Sequence, residues 1–363
     1  MNPYDFVRLP DRVVRESVLT HEKLRGHSGL IRSGLTAITP IFIPATQAGG
    51  GTQFITARYN GGDFPVIPGS SLKGVVRCVA EAVSLSCIGL SAQLFERGAV
   101  REEYRGAITK DFATCDVVER LCPACRLFGM VSRNSHFLGK VSFGEARTTA
   151  QGFKRGATVT LKPLMEPKPR HSAFYLPTGR IAGRKFYFHH VGALKTASQP
   201  TTFTKTLTPL EGLDQAGNPQ TLFEFDVTFS NLTDYEYSLL LFSLMLTDDM
   251  CHKVGGGKPL GLGTSKIEVK ELWELDITQR YRGLGARVLD GGLGQIRTGT
   301  ELHSHLLQRT EPFISAPSPS LLDLQRIWRY PPAIDETGNP VDYIYPDQKW
   351  FASNSSTPIS GTP

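Results

Sequence analysis

The stretch LFEFDVTFSNLTDYEYSLLLFSLML, residues 222–246, constrains the fold of this chain more than any other. Its first half alternates apolar and polar residues, the pattern of a half-buried strand whose side chains point to opposite sheet faces. Its second half reads as a helix. Thr233 and Glu236 have the spacing of a capping box, in which each side chain accepts a hydrogen bond from the other residue's backbone N–H. A similar unit lies earlier. GLIRSGLTAITPIFI, residues 29–43, mixes alternation with β-branched residues and reads as a strand. ATQAGGGTQ breaks it, FITARY resumes extended structure, and NGGD turns. SSLKGVVRCVAEAVSL then reads as a helix capped by Ser70 or Ser71, with Leu72, Val75, Val76, Val79 and Val83 on one face. The glycine-rich turn VGGGKPLGLG leads into a last strand, TSKIEVKEL. Strand–helix–strand units that open and close the chain around a Gly/Pro-rich insert predict an α+β fold with a split βαβ, ferredoxin-like core.

Composition narrows the class. The chain has 363 residues, 40% of them hydrophobic and 20% charged, which suits a soluble globular protein with a sizeable core. No run of about 18 apolar residues occurs, so no membrane span is expected. The start, MNPYDFVRLPDRVV, lacks an apolar signal core, and a cytoplasmic setting is expected. There the six cysteines are not expected to build a disulfide framework. The polar tail FASNSSTPISGTP is expected to be disordered.

Charge is unevenly placed. Residues 150–205 carry ten Lys/Arg against one acid, Glu166, a net of +9 where the whole chain has +6, so the remainder is slightly acidic. Phe153, Phe174, Tyr175, Phe186, Tyr187, Phe188 and Phe203 are interleaved with these cations. A single-stranded nucleic acid suits that mixture, because its phosphates take the charge and its bases take a stacking face. A solvated basic surface is the plainer account, and the local concentration of the excess favours nucleic acid.

Two segments carry features of an anion site. In IPGSSLKGVVR, residues 67–77, a Pro-Gly corner opens a helix whose first N–H groups are unsatisfied and partly positive. Ser70 and Ser71 add hydroxyls, and Lys73 and Arg77 stand one turn apart. Phosphate would suit these donors, although plain capping is the simpler account of these residues alone. In VGGGKPLGLG, Gly255, Gly256, Gly257, Gly261 and Gly263 permit close backbone approach and Lys258 adds charge, yet the segment is no Walker or dinucleotide fingerprint.

Three thiols fall within eleven residues in Cys115-x6-Cys122-Pro-Ala-Cys125. Thiolates at this spacing can converge on tetrahedral Zn²⁺, with histidine as the usual fourth ligand, and His136, His21 and His27 are the candidates. A redox pair would want a thioredoxin-like setting, which is absent. A fourth protein ligand makes such a site structural. Cys78, Cys87 and Cys251 stand in apolar contexts and read as ordinary core residues.

In this order, IPGSSLKG followed by an arginine, CPACRLFG ahead of GKVSFGEA, and HKVGGGKPLGLG resemble the RAMP superfamily of CRISPR-associated proteins, and within it the type III effector backbone subunits. PYDFVRLPDRVV, HEKLRGHSG, TPIFI and GRKFYFHH resemble a III-D-like branch. The matching motifs run from about residue 3 to 270. The resemblance implies a modified RRM/ferredoxin-like palm with a zinc-bearing insert and a β-rich thumb insertion. The corresponding division is an extension over 1–28, the first part of the palm over 29–149 with the zinc insert near 105–136, and the thumb over 150–220. The second part of the palm comes next, over 221–275, then a C-terminal extension over 276–350 and the tail over 351–363. It further implies that Ser70, Ser71, Lys73, Arg77 and Gly255, Gly256, Gly257 and Lys258 cradle guide phosphates. Arg126, Arg184 and Lys185 are added as basic contacts. The expected partners are a crRNA guide, target RNA and other subunits of a multi-protein complex, with no membrane.

Slicing members of this family carry an aspartate in the loop after the first strand and cut target RNA with a divalent metal. Here the only acid upstream of the Pro-Gly corner in that region is Asp63, inside the NGGD turn, so Asp63 is a weak catalytic candidate and Mg²⁺ is expected only if the chain slices. His189 and His190 suit packing or stacking better than acid–base cleavage. Three readings compete: a non-catalytic guide-binding backbone subunit, a metal-dependent slicing subunit of the same complex, or a stand-alone guide-processing ribonuclease using histidine. The segment RYRGLGARVLDGGLGQIRTGTELHSHLLQ, residues 280–308, is expected to dock on an adjacent subunit.

Overall fold

The computed structural model describes residues 3–45, 53–88, 107, 110–132, 135–149, 153–162, 175–176, 179–190, 194–199, 204–212, 220–276, 293–341, 343, 350 and 353–354. Nearly all of the tail and part of the insert therefore lie outside the described residues, as do 46–52 of the segment between the first strand and the Pro-Gly corner. The strands that build the main sheet and its flanks are β1 (Tyr4–Val7), β2 (His27–Ala37), β3 (Thr56–Tyr59), β4 (Gly62–Ile67), β5 (Val141–Phe143), β6 (Ala146–Thr148), β7 (Arg184–Tyr187), β8 (Thr221–Leu232), β9 (His252–Lys253), β10 (Thr264–Leu275) and β11 (Leu293–Arg297). The helices packed on them are α1 (Gly69–Val83), α2 (Pro123–Phe128), α3 (Asp234–Met245), α4 (Gly299–Ser315) and α5 (Pro319–Trp328).

The alternating segment is strand β8, which lies beside β2 at the centre of one antiparallel sheet ordered β9–β10–β2–β8–β6–β4–β3. β11 extends β10, and β5 pairs with β8. Register places Leu35 opposite Phe223 and Ile267, and Ile31 opposite Val227 and Leu272. All six side chains are buried. The strand period of two therefore assembles one apolar face from three non-adjacent stretches of chain, and α1 and α3 contribute to the same core. The capping box forms as expected: Thr233 accepts from the Glu236 N–H at 3.3 Å, and Glu236 accepts from the Thr233 N–H at 2.9 Å.

The opposite face carries Arg32, Glu224, Asp226, Lys270 and Glu271. They pair across strands, Arg32 with Glu271 at 3.1 Å and with Asp226 at 3.8 Å, and Lys270 with Glu224 at 2.8 Å.

α1 begins differently from expectation. Its N-cap is Pro68, at φ −56° and ψ 136°, and no side chain caps it. Ser70 and Ser71 fall inside the first turn, with the Ser71 N–H donating to the Pro68 carbonyl at 2.9 Å. Proline sets the extended entry and glycine the packing: a Cβ on Gly69 would stand 2.1 Å from the Phe143 carbonyl oxygen. The NGGD turn is tighter than read, with Asn60 and Gly61 alone at positive φ between β3 and β4.

Both ends of the chain join this body. β1 pairs with β7 of the basic insert, and α5 packs on both. Arg8 makes a bidentate pair with Asp323 (Nε 2.7 Å, Nη2 2.9 Å), and Arg326 donates to Asp5 at 2.7 Å. α4 packs against α3. Residues 293–308 of the segment expected to dock on a neighbour are thus used in this chain's own sheet edge and helix layer; 280–292 lie outside the described residues. Among the described residues, no helix is long and apolar enough to cross a membrane.

Candidate nucleic-acid interface and metal centre

A cleft of about 560 Å³ opens where α1, the loop after β9 and β7 meet. α1 supplies Ser71, Gly74, Val75 and Cys78, which share one helix face by their three- and four-residue spacing. The glycine loop supplies Gly255, Gly256 and Lys258. Its conformation demands glycine, since Gly255 has φ 84° and a Cβ there would stand 2.3 Å from the Phe42 carbonyl oxygen. The Gly256 N–H donates to that oxygen at 2.8 Å, pinning the loop against the end of the first strand segment. β7 supplies Lys185, Phe186 and Tyr187, and Trp328 comes from the last turn of α5.

Charge in this cleft has one sign. Lys185, Lys253 and Lys258 line it, and none of its lining residues is acidic. Burial lowers the pKa of all three: Lys185 to about 8, Lys253 to about 7, and Lys258 below its ordinary value. The Lys185 ammonium lies 3.6 Å from the centre of the Tyr4 ring and 4.8 Å from that of Tyr187, and among the described residues it has no hydrogen-bond partner. Lys253 is fully buried and donates to the Leu262 carbonyl at 3.0 Å. A cavity that concentrates positive charge at a desolvation cost is arranged for an anion.

The other expected contacts are placed elsewhere. Lys73 donates to the Val141 carbonyl at 3.2 Å, and Arg77 to Glu81 at 2.7 Å and to the Gly129 carbonyl at 3.0 Å, so both leave α1 on a side away from the cleft. Arg126 is buried; its Nη1 pairs with Glu16 at 2.8 Å, and its Nε lies 2.8 Å from Glu236 Oε1 as a charge contact without hydrogen-bond geometry. Lys140 binds the other oxygen of Glu236. Arg126 thus neutralises the capping carboxylate and does not face solvent as an RNA contact. Arg184 is likewise internal, donating to the carbonyls of Glu81, Ser86 and Cys87 at 3.1, 3.0 and 2.8 Å. Ser70 and Gly257 do not line the cleft, and Asp63 is an exposed residue of β4 opposite Arg58. His189 is fully buried between Thr264 and the Cys251 carbonyl, with burial holding it well below its ordinary pKa, so it is a neutral packing group out of reach of RNA.

The cysteines form a second site, with one partner replaced. Cys87, Cys115, Cys122 and Cys125 are all buried and their sulfurs lie within 4.8 Å of one another. The Cys87–Cys125 and Cys87–Cys122 sulfur separations are both 3.6 Å. Four sulfurs around Zn²⁺ at about 2.3 Å stand about 3.8 Å apart, so the set fits a tetrahedral ion. The Cys115 and Cys122 sulfurs, as hydrogen-bond partners, push the Cys87 and Cys125 thiols up. Crowded sulfurs cannot all ionise without a cation among them, and the four could hold a metal ion. Cys87 therefore replaces the expected histidine. His136 is exposed in the strand His136–Leu138, His21 stacks on Phe137, and His27 pairs with Asp234 and Glu274 at 2.9 and 3.4 Å. A buried sulfur ligand and a core cysteine carry the same local signature, which is why Cys87 reads as core from its neighbours.

A family model described as the RAMP superfamily matches residues 34–266, more than half of the chain, and the chain belongs to that superfamily. The matched span includes α1, the four cysteines, β7 and the glycine loop, and ends before α4 and α5. No curated protein matches the chain. Among solved structures, the crystal structure of Thermofilum pendens Csc2 is similar at 16% identity, over 84% of this chain and 85% of that one, with a TM-score of 0.35.

Proposed function

We propose that this chain is a guide-RNA-binding backbone subunit of a type III CRISPR effector complex that holds a crRNA guide and its target in antiviral defence. The observation that carries this reading is the cleft: two segments about 180 residues apart bring a helix first turn and a glycine loop together around three lysines without a carboxylate. The Ser71 hydroxyl, Lys258 and the loop backbone take phosphates, so the protein reads the strand's backbone and leaves sequence to base pairing. Cations of the basic insert that rest on aromatic rings extend the surface, with Arg155 5.7 Å from the Phe153 centre and Lys205 5.8 Å from that of Phe42. In this reading the central sheet and α1 and α3 form the palm, and residues 150–220 form the thumb.

The four cysteines hold a structural Zn²⁺. Four thiolate ligands leave no open position for water, so the ion supplies cross-linking and no chemistry. In this reading the subunit binds without cutting: Asp63 stands on a hairpin strand opposite Arg58, and among the described residues it belongs to no group of three or more metal-ligating side chains.

The purified protein, incubated with guide RNA and with guide-paired target in Mg²⁺ or in EDTA, is expected to retain both RNAs under both conditions and to cleave neither. Mg²⁺-dependent cutting of target within the assembled complex would make it the slicing subunit, and precursor cleavage in EDTA a processing ribonuclease.

A further inference from the structure

Resting on the RNA-binding reading, we propose that Glu81, Arg77 and Arg184 couple the four-cysteine centre to the cleft, so that a metal ion on the sulfurs and an RNA strand in the cleft strengthen each other's binding. Glu81 is 9% exposed and meets both guanidiniums. Arg77 Nε lies 2.7 Å from its Oε1, and Arg184 Nη1 lies 3.4 Å from its Oε2. Each arginine also holds backbone at the cysteine centre. Arg77 donates to the carbonyl of Gly129, the C-cap of α2, at 3.0 Å, and Arg184 to those of Ser86 and Cys87 at 3.0 and 2.8 Å. The Ser86 hydroxyl accepts in turn from the Ala124 N–H of α2 at 3.0 Å.

Two of the three elements that form the cleft meet at this carboxylate. β7 begins with Arg184, and its next residues line the cleft. On α1, Glu81 follows Cys78 by three residues, at the border between the cleft face and Arg77. Cys78 lies within electrostatic reach of Glu81, Arg77 and Arg184, and also of Lys258 in the glycine loop. The residues that the sequence marks as RNA contacts, Arg77 and Arg184, thus stand behind the cleft wall and hold it to the cysteines.

Charge points the same way. One carboxylate leaves one of the two guanidiniums unbalanced, and both interact with the sulfurs, Arg77 with Cys87 and Cys125 and Arg184 with Cys87 and Cys122. A divalent ion among four thiolates leaves two negative charges in excess, which these cations meet. With the ion bound, Cys87 is tied to Cys122 and Cys125, and the carbonyls that Arg184 grips are fixed with it. Without the ion those carbonyls are released, and α1 and β7 lose a common anchor.

The test measures the zinc affinity of the intact protein by equilibrium competition with a chelator, without RNA and with saturating single-stranded RNA, for wild type, Glu81→Gln and Arg184→Lys. Wild type is expected to hold zinc about fivefold more tightly with RNA, and by reciprocity the zinc-loaded protein should bind RNA tighter than the zinc-free protein by the same factor. Both variants are expected to keep their zinc and to bind RNA, with zinc affinity no longer changed by RNA. Gln brings no charge to the second guanidinium, and Lys lacks the fork that spans Glu81 and Cys87. Equal zinc affinity with and without RNA in wild type overturns the coupling. A fivefold effect that persists in both variants also overturns it, since the linkage would then belong to folding as a whole. Loss of zinc from both variants before RNA is added overturns it too, by making Glu81 and Arg184 part of the metal site alone. Failure of wild type to bind RNA overturns the RNA-binding reading itself, and failure to bind zinc overturns the metal reading.

Discussion

Two concavities of nearly equal size lie on this molecule, about 570 Å³ on the open face of the sheet and about 560 Å³ between α1, β7 and the glycine loop. The first is lined by Arg32, Arg147 and Lys270 together with Glu145, Glu224, Asp226 and Glu271; Arg32 and Lys270 pair with acids across neighbouring strands, and Arg147 pairs with Glu145 two residues before it. The second holds three lysines and no acid. Volume does not separate them; pairing does. Cross-strand ion pairs on an exposed sheet cancel one another's field and leave little for a guest, whereas unpaired charge beside low-dielectric walls is available to an incoming phosphate.

The largest contrast should come from reversing one charge in each. Lys258→Glu is expected to weaken single-stranded RNA binding by about 30-fold or more, and Lys270→Glu to change it by less than about twofold, measured by titration at one fixed salt concentration. Equal losses would show that both concavities, or neither, meet RNA. A smaller loss, about fivefold, is expected from Cys87→Ser, because losing a sulfur ligand loosens the segment whose Cys87 carbonyl accepts from Arg184, the neighbour of Lys185 on β7. That variant should also lose its bound metal by elemental analysis, while His136→Ala keeps it.

Next comes pH. Lys253 and Lys185, at about 7 and about 8, are charged only at the lower end of the range, so RNA affinity should fall severalfold between about pH 7 and pH 9. Stability of the free protein should move the other way. The unfolded chain holds these protons up to the ordinary lysine value of 10.5, so between about 7 and 10.5 it binds more protons than the folded chain and stability rises with pH. Thermal melts beside binding curves test the crossing, and Lys253→Met should flatten both. The smallest effect, about twofold, is expected from Lys73→Met, whose ammonium already serves the Val141 carbonyl outside the cleft. A tenfold loss there would return Lys73 to the RNA interface.

Where the chain's own periodicity decided the outcome, the fold was legible. β8, the Thr233–Glu236 box and the glycine loop all rest on local rules, and they form as those rules require. The meeting of Ser71 with Gly255, Gly256, Lys258 and Lys185 was legible only through the order of the motifs, since no local signal reports that residues so far apart share a cleft. What stayed hidden was direction. Lys73 and Arg77 sit one turn apart on α1, but the carbonyls and carboxylate they meet come from segments up to 68 residues away. Arg126 and Arg184 look like surface cations in a basic context, and only the positions of Glu236 and Glu81 make them internal. Trp328 lies in no motif, and Lys253, although inside HKVGGGKPLGLG, has no signal of its own there; each joins the cleft through tertiary packing.

The clasp between β1 and α5 closes the base of the cleft. Arg8 meets Asp323 across 315 positions, and Trp328 reaches the floor only after α5 has docked on β1. The mouth is built from α1 and the glycine loop, whereas the floor waits on a contact between the two ends of the described body. Loosening that clasp would therefore open the base of the cleft while α1 and the glycine loop keep their places.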